Sequence, residues 1–244
     1  SRWIESINRG IITASKEMSL QVDFLNVIFG SVLGYEYHRE TGSFNLEKET
    51  KSITDGTFAD GALGFFEYQN GKINYDVRAV IELKDAQTQL DAKQHYKSGT
   101  QDTPVAQAFS YASKAGGKCR WVIVSNFLEI RLYHHSDQSR FEIFTLRELL
   151  QPDNLKRFFF LLQKENLIAK NGKSFIDIFY EKRQAEEQEI TKKFYAEYKS
   201  VRAELFNHLK EHNPGKDELL LFTKTQKLLD RIIFVCFCED VNLL

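Results

Sequence analysis

Two apolar-rich runs joined by a turn, Phe58 to Lys84, constrain this chain more than any other stretch. The segment reads FADGALGFFEYQNGKINYDVRAVIELK, with Gln69-Asn70-Gly71 near its middle. Aromatic and β-branched residues on both sides of an Asn-Gly pair are the strongest short-range signal for a β-hairpin. Charges stand inside those runs: Asp60 in the first, Glu82 and Lys84 in the second. A charge in a strand that reads as core must be paired, solvated or metal-bound, because burying it alone is prohibitively costly. Side chains alternate faces along a strand, so Glu82 and Lys84 point one way while Ile81 and Leu83 point into the core. Two carboxylates and an ammonium on one hairpin face make a candidate divalent-metal site.

Whether Asp60 joins that face depends on the turn. A two-residue loop at Asn70-Gly71 places Asp60 opposite Ile81, on the wrong side. A three-residue loop Gln69-Asn70-Gly71, with Gly71 left-handed in a bulge, pairs Tyr68 with Lys72. Asp60 then lies opposite Val80 and diagonal to Glu82. A metal site here requires that bulged turn, or an equivalent irregularity.

Apolar residues recur at helical spacing from Ser15 to Leu33 (Leu20, Phe24, Val27, Ile28, Val32), Gly34 stops the helix, and Glu17 lies one turn before the stripe. Arg39 to Thr54 is polar and reads as a loop. After the hairpin, Asp85 to Thr103 is again polar, and Pro104 opens a helix to about Lys114. Gly116-Gly117 ends it, and a second hairpin follows in Cys119–Ser125 and Phe127–His135, with an edge strand at Phe141–Phe144. Beyond that the pattern is helical: Asp153–Leu162, a long helix Ile176–His212 broken by Asn213-Pro214-Gly215, and Asp217–Leu244. Mixed strands around one helix predict an α+β core followed by an all-helical unit. We draw the boundary between 1–171 and 172–244.

Hydrophobic residues make up 42% and charged residues 27% of the 244, the balance of an ordinary globular protein. The net charge is −1, so nucleic-acid binding has to come from a local patch rather than from global basicity. Three cysteines (Cys119, Cys236, Cys238) imply no disulfide framework and suit a reducing, cytoplasmic setting. Cys236 and Cys238 lie in an apolar run and read as core. No signal peptide opens the chain, and its apolar runs are too short to span a bilayer.

An acid two residues before a lysine also occurs at Glu49/Lys51, Asp91/Lys93 and Glu197/Lys199, in polar loops or on a solvated helix face. Only Glu82/Lys84 is embedded in an apolar strand. There the residues resemble the PD-(D/E)XK nuclease signature: Asp60, then Glu82-Leu83-Lys84, with Ala59 and Gly61 at the flanking positions and no proline. Gln107-Ala108-Phe109-Ser110-Tyr111 is similar to the Q-x-x-x-Y element of the RecB-like branch, and residues four apart share a helix face. Alone, that pair reads as a capping glutamine and a half-buried tyrosine. Trp121–Phe127 with Arg131-Leu132-Tyr133 looks like the hairpin after the nuclease site in type I and type IIG restriction enzymes. Thr225–Phe234, Cys238-Glu239-Asp240 and Leu243-Leu244 resemble the helical connector of single-chain type IIG restriction–modification proteins.

The resemblance implies a restriction-endonuclease-like mixed sheet flanked by helices, a helical connector, and a metal-dependent endodeoxyribonuclease acting on double-stranded DNA. It implies Mg²⁺, or Mn²⁺ in its place, held by Asp60, Glu82 and the Leu83 carbonyl. Lys84 would orient or help deprotonate the water, Glu17 would add an outer carboxylate, and Gln107 and Tyr111 would contact substrate or hold Lys84. In that family the connector leads into an adenine methyltransferase. Neither its Gly-rich loop nor its Asn-Pro-Pro-Tyr motif occurs here, so methyltransferase and specificity domains are expected to lie outside a truncated N-terminal fragment. The alternative is a catalytically silent DNA-binding or interaction module on the same fold. His208-Leu209-Lys210-Glu211-His212 fits an inverted zinc-peptidase pattern without a third ligand. Phe158–Leu162 reads as core. Lys156, Arg157, Lys164, Lys170 and Lys173 read as either a phosphate patch or a solvated face.

Overall fold

The computed structural model describes residues 2–37, 42–51, 58–95 and 101–243. Three short helices come first, α1 (Arg2–Asn8), α2 (Ile11–Ala14) and α3 (Glu17–Phe24), the last running on as a π-helix over Leu25–Val32. Strands β1 (Ser43–Lys51), β2 (Phe58–Gln69) and β3 (Lys72–Leu83) follow, then the two-residue strands β4 (Gln94–His95) and β5 (Gln101–Asp102). Helix α4 (Pro104–Lys114) leads to β6 (Trp121–Ser125), β7 (Glu129–His134) and β8 (Phe141–Thr145). After Thr145 the described residues hold only helices: a 3₁₀ turn at Leu146–Leu150, α5 (Pro152–Leu162), α6 (Lys164–Leu167), α7 (Phe175–His212) and α8 (Glu218–Asp240).

Six strands make one sheet in the order β1-β2-β3-β6-β7-β8, flanked by helices. Every neighbouring pair is antiparallel except β3 and β6, which run parallel from Ala79↔Trp121 to Leu83↔Ser125. A parallel pair needs a crossover, and α4 lies on that connection. Its start is fixed locally: the Thr103 side chain accepts from the Ala106 amide at 3.1 Å, and Pro104 occupies the first turn, where no amide is needed. Strands with both faces covered read as unbroken apolar runs. Ala79–Leu83 and Trp121–Ser125 are accordingly buried throughout.

Two expectations about the strands need correction. The stretch Arg39–Thr54 was expected to be a loop, yet residues 43–51 form β1; positions 39–41 and 52–54 lie outside the described residues. Phe44 and Leu46 point inward and are buried, while the polar residues between and beyond them made the run look like a connection. The hairpin turn also differs. Gln69 pairs with Lys72, so Asn70 (φ 52°) and Gly71 (φ 79°) form a two-residue turn of the primed kind, not a three-residue bulged one. The irregularity lies inside the strands, where the register shifts between Leu63 and Gly64.

The chain divides into two compact units, Ser1–Phe179 and Tyr180–Leu244, the division falling within α7. In the first unit, Ser174 and Asp177 cap the start of α7 reciprocally: the Asp177 amide donates to Ser174 Oγ at 3.1 Å, and the Ser174 amide to Asp177 Oδ2 at 2.9 Å. Asp177 Oδ1 also accepts from Trp121 Nε1 at 3.0 Å. Asp177→Ala removes the cap and the carboxylate to which the Trp121 indole N–H donates, so we expect a loss of about 2–4 kcal/mol in unfolding free energy, read by denaturant melts. Phe158 and Leu162 are core as expected, but Phe160 is 38% exposed.

In the second unit, Tyr198 bonds Asp230, Phe206 packs edge-on to Phe222, and Lys210 pairs with Glu218. Partners fall along α8 as they rise along α7, so the two helices run antiparallel. The stripe expected on α7 is only partly covered: Tyr198, Leu205 and Leu209 are half-buried, whereas Phe194 and Val201 are exposed. Cys238 is buried but Cys236 is exposed, against its reading as core. Among the described residues no helix is long and apolar enough to cross a membrane.

Candidate active site

The site sits where β2 begins and β3 ends, beside the start of α3. Register decides it. From the turn to Gly64↔Val77 the hairpin is regular; after the shift, Leu63 faces Ala79 and Gly61 faces Ile81. One step further, Asp60 and Glu82 lie level with each other. The Lys84 amide donates to the Ser125 carbonyl at 2.9 Å, which keeps the end of β3 against β6.

Glu82 is 2% exposed, and its Oε1 accepts from Lys84 Nζ in a close ion pair. Its other oxygen, Oε2, is buried and has no hydrogen-bond partner among the described residues. Asp60 Oδ2 accepts from the Leu83 amide at 2.7 Å, and Oδ1 from Gln21 Nε2 at 3.1 Å. The same Gln21 nitrogen lies 3.3 Å from Glu17 Oε1, so one buried amide ties the α3 acid to Asp60. On α4, Gln107 Nε2 donates to Tyr111 Oη at 2.7 Å, and Gln107 Oε1 is a second buried atom without a partner. The structure thus groups Glu17, Asp60, Glu82 and Lys84. Tyr111 is near enough for the charges of Glu82, Lys84 and Asp60 to act on its hydroxyl. Leu83 contributes its amide, bonded to Asp60.

The electrostatics have one source. Burial first, then the Asp60 charge, push the Glu82 carboxyl up to about 8 against the pull of Lys84. Burial likewise raises Asp60, opposed by the Leu83 amide and Lys84, and raises Glu17, opposed by Lys84 and reinforced by Asp60 and Asp85. Burial alone lowers the Lys84 ammonium, but Glu82, Asp60 and Glu17 outweigh it and hold it above its ordinary value. Three carboxyls raised chiefly by burial surround one firmly protonated lysine. Clustered oxygen donors and an unpartnered buried carboxylate oxygen suit a hard divalent cation. Among the described residues no three His, Cys, Asp or Glu side chains gather as a complete metal-holding group.

Gln21 was not anticipated, although a glutamine between Leu20 and Phe24 and one turn after Glu17 is a readable signal. The other candidates fade. The His212 ring nitrogen lies 2.8 Å from the His208 carbonyl, so the zinc-like motif is tied to its own helix. Lys156, Arg157, Lys164 and Lys170 each pair with an acid (Asp153, Glu142, Glu36 and Glu67), which favours the solvated face over a phosphate patch. A family model described as MmeI, N-terminal domain, matches residues 22–178, which takes in Asp60, Glu82, Lys84, Gln107 and Tyr111. No curated protein and no solved structure matches the chain.

Proposed function

Because the chain belongs to the MmeI N-terminal domain family of type IIG restriction enzymes, we propose that it is a Mg²⁺-dependent endonuclease unit that hydrolyses phosphodiester bonds of double-stranded DNA. The observation that carries this reading is Glu82: a buried carboxylate in a core strand, bonded to Lys84 on one oxygen and unpartnered on the other, level with Asp60. The helices after residue 171 are proposed as the connector of such an enzyme.

Asp60 and Glu82, with the Leu83 carbonyl, would hold Mg²⁺ or Mn²⁺. A bound divalent ion neutralises charge at the scissile phosphate and acidifies a water. The Leu83 amide and Gln21 fix the Asp60 carboxylate from two sides, so it meets a cation in one orientation. Lys84 stays protonated among three acids, which suits it to orient the attacking water and stabilise charge on the phosphate rather than to take a proton. Glu17, raised and tied to Asp60 through Gln21, is the carboxylate best suited to accept one. Gln107 and Tyr111 form a bonded pair beside this group, with the Gln107 oxygen open to a donor from substrate.

The test is nicking of supercoiled plasmid by the chain in Mg²⁺ or Mn²⁺. We expect conversion that chelation stops and Lys84→Ala abolishes. Cutting that survives Lys84→Ala sinks the assignment, and tight DNA binding without any cutting favours the silent module.

A further inference from the structure

β3 holds one residue more than β2 between the turn and the site. Up to the irregularity, odd-numbered side chains of β3 face the cluster beneath α4: Ile73, Tyr75 and Val77. Beyond it the even-numbered Val80 takes that place, while β2 keeps its parity across the irregularity, since both Ala62 and Phe66 belong to the cluster. Ile81 lies on the other face, where Gly61 adjoins Leu25. The switch happens at Arg78, which falls between Gly64↔Val77 and Leu63↔Ala79 with no partner in the ladder. Without it, continuing the alternation would turn Val80 and Glu82 toward Leu25 and set Asp60 level with Ile81.

The opposing strand makes room for the extra residue at Gly64 alone. A Cβ there would sit 2.2 Å from the Asp76 carbonyl oxygen and 3.1 Å from Val77 Cα, both backbone atoms of the bulged strand. Arg78 is tied down on several sides. Its Nε and Nη2 donate to Asp76 Oδ1 and Oδ2 at 3.1 and 3.0 Å, and Nη2 also to the Lys170 carbonyl at 3.0 Å. Its own carbonyl accepts from the Arg120 amide at 3.0 Å, just before β6 begins. Bulges near active sites re-aim the side chains beyond them. This one lies four residues, about 13 Å, from Glu82.

We propose that Gly64 and the extra residue Arg78 are positioning residues for the metal centre, the bulge they form setting the register that brings Asp60 level with Glu82. The inference rests on the metal-centre reading above and adds residues that touch neither cation nor substrate. What matters at position 78 is not the arginine side chain but that the glycine opposite lets the ladder absorb one surplus residue; with that residue deleted the same register needs no bulge.

The experiment measures Mn²⁺ affinity of the chain by electron paramagnetic resonance, without DNA, beside a thermal melt. Gly64→Ala should weaken Mn²⁺ by about 10–100-fold, the range for groups that orient a ligand. Deleting Arg78 from the Gly64→Ala chain flattens the ladder while keeping Asp60 level with Glu82, so affinity should return. A merely structural role gives the opposite result, because the deletion also removes the Asp76 ion pair and compounds the damage. Unchanged affinity in Gly64→Ala, or a deletion that restores nothing, overturns the inference. Should Gly64→Ala fail to fold, the deletion alone decides: it should fold and bind Mn²⁺, and a folded deletion chain without binding overturns the inference. Binding that is absent from the unmutated chain, or that persists in Glu82→Ala, overturns the metal centre and this inference with it.

Discussion

Glu82→Ala lowers the rate of duplex DNA cleavage by about 10³-fold or more, the scale of losing a cation that neutralises charge in the transition state, while DNA affinity stays level or rises slightly. The two effects have opposite causes. The carboxylate is one of the two side chains proposed to hold the ion, so its loss should remove the chemistry. It is also a buried negative charge beside the expected path of the phosphates, and removing it relieves repulsion. Lys84→Ala should match it in turnover and differ in affinity, because it deletes a positive charge and leaves Glu82 and Asp60 facing the substrate. Changes at Glu197 or Lys199 on α7 should alter neither. The readouts are cleavage of long duplex DNA in Mg²⁺ and binding in Ca²⁺, which fills oxygen sites without supporting the reaction well. Normal cutting by Glu82→Ala rules out this hairpin as the nuclease centre.

The hairpin, α4, the second hairpin and the two long helices were legible because their patterns are periodic and their ends are marked by Gly or Pro. β1 was not, since an edge strand with Lys48 and Glu49 on it has the composition of a loop. The helix Arg2–Asn8 went unread because it is short; Trp3, bonded through Nε1 to the Phe127 carbonyl at 3.1 Å, is held by tertiary packing rather than by local preference. The turn is the more instructive case. Alternation required one irregular residue between Asp60 and Glu82, and Asn70-Gly71 drew attention because turns are where bulges are usually sought. Gly64, a glycine inside an aromatic strand, was the signal that belonged to it. Gln21 shows the remaining gap, because a polar residue on a helical face acquires meaning only once the opposite strand end is known.

Above about pH 8, where Glu82 is ionised, Lys84→Ala should destabilise the cation-free protein by up to about 3–5 kcal/mol, the usual cost of breaking a buried ion pair from one side. The lysine and glutamate side chains are 14% and 2% exposed, so water does not replace the lost partner. Glu82→Ala added to Lys84→Ala should recover much of that loss, because the double variant no longer buries an unpaired charge. The pH dependence has a definite sign. Glu82 already titrates at about 8 in the presence of Lys84, whose charge lowers it, and without Lys84 it moves higher. A carboxyl raised in the folded state keeps a proton that the unfolded chain gives up near its ordinary value, about 4.3. Stability contributed by that proton is therefore fully present below this pH and lost as pH climbs toward the folded value. The Lys84→Ala deficit should be small at pH 5, where both proteins keep the Glu82 proton, and should open only above about pH 8, where Glu82 of the unmutated protein ionises. Ca²⁺ should reduce it at about pH 9.5 far more than at pH 5, where protons already neutralise the pocket. Denaturant melts of the four chains at both pH values, with and without Ca²⁺, measure all of this. A deficit that is equal at the two pH values, or that the double variant does not relieve, means Glu82 is not held ionised against burial by Lys84.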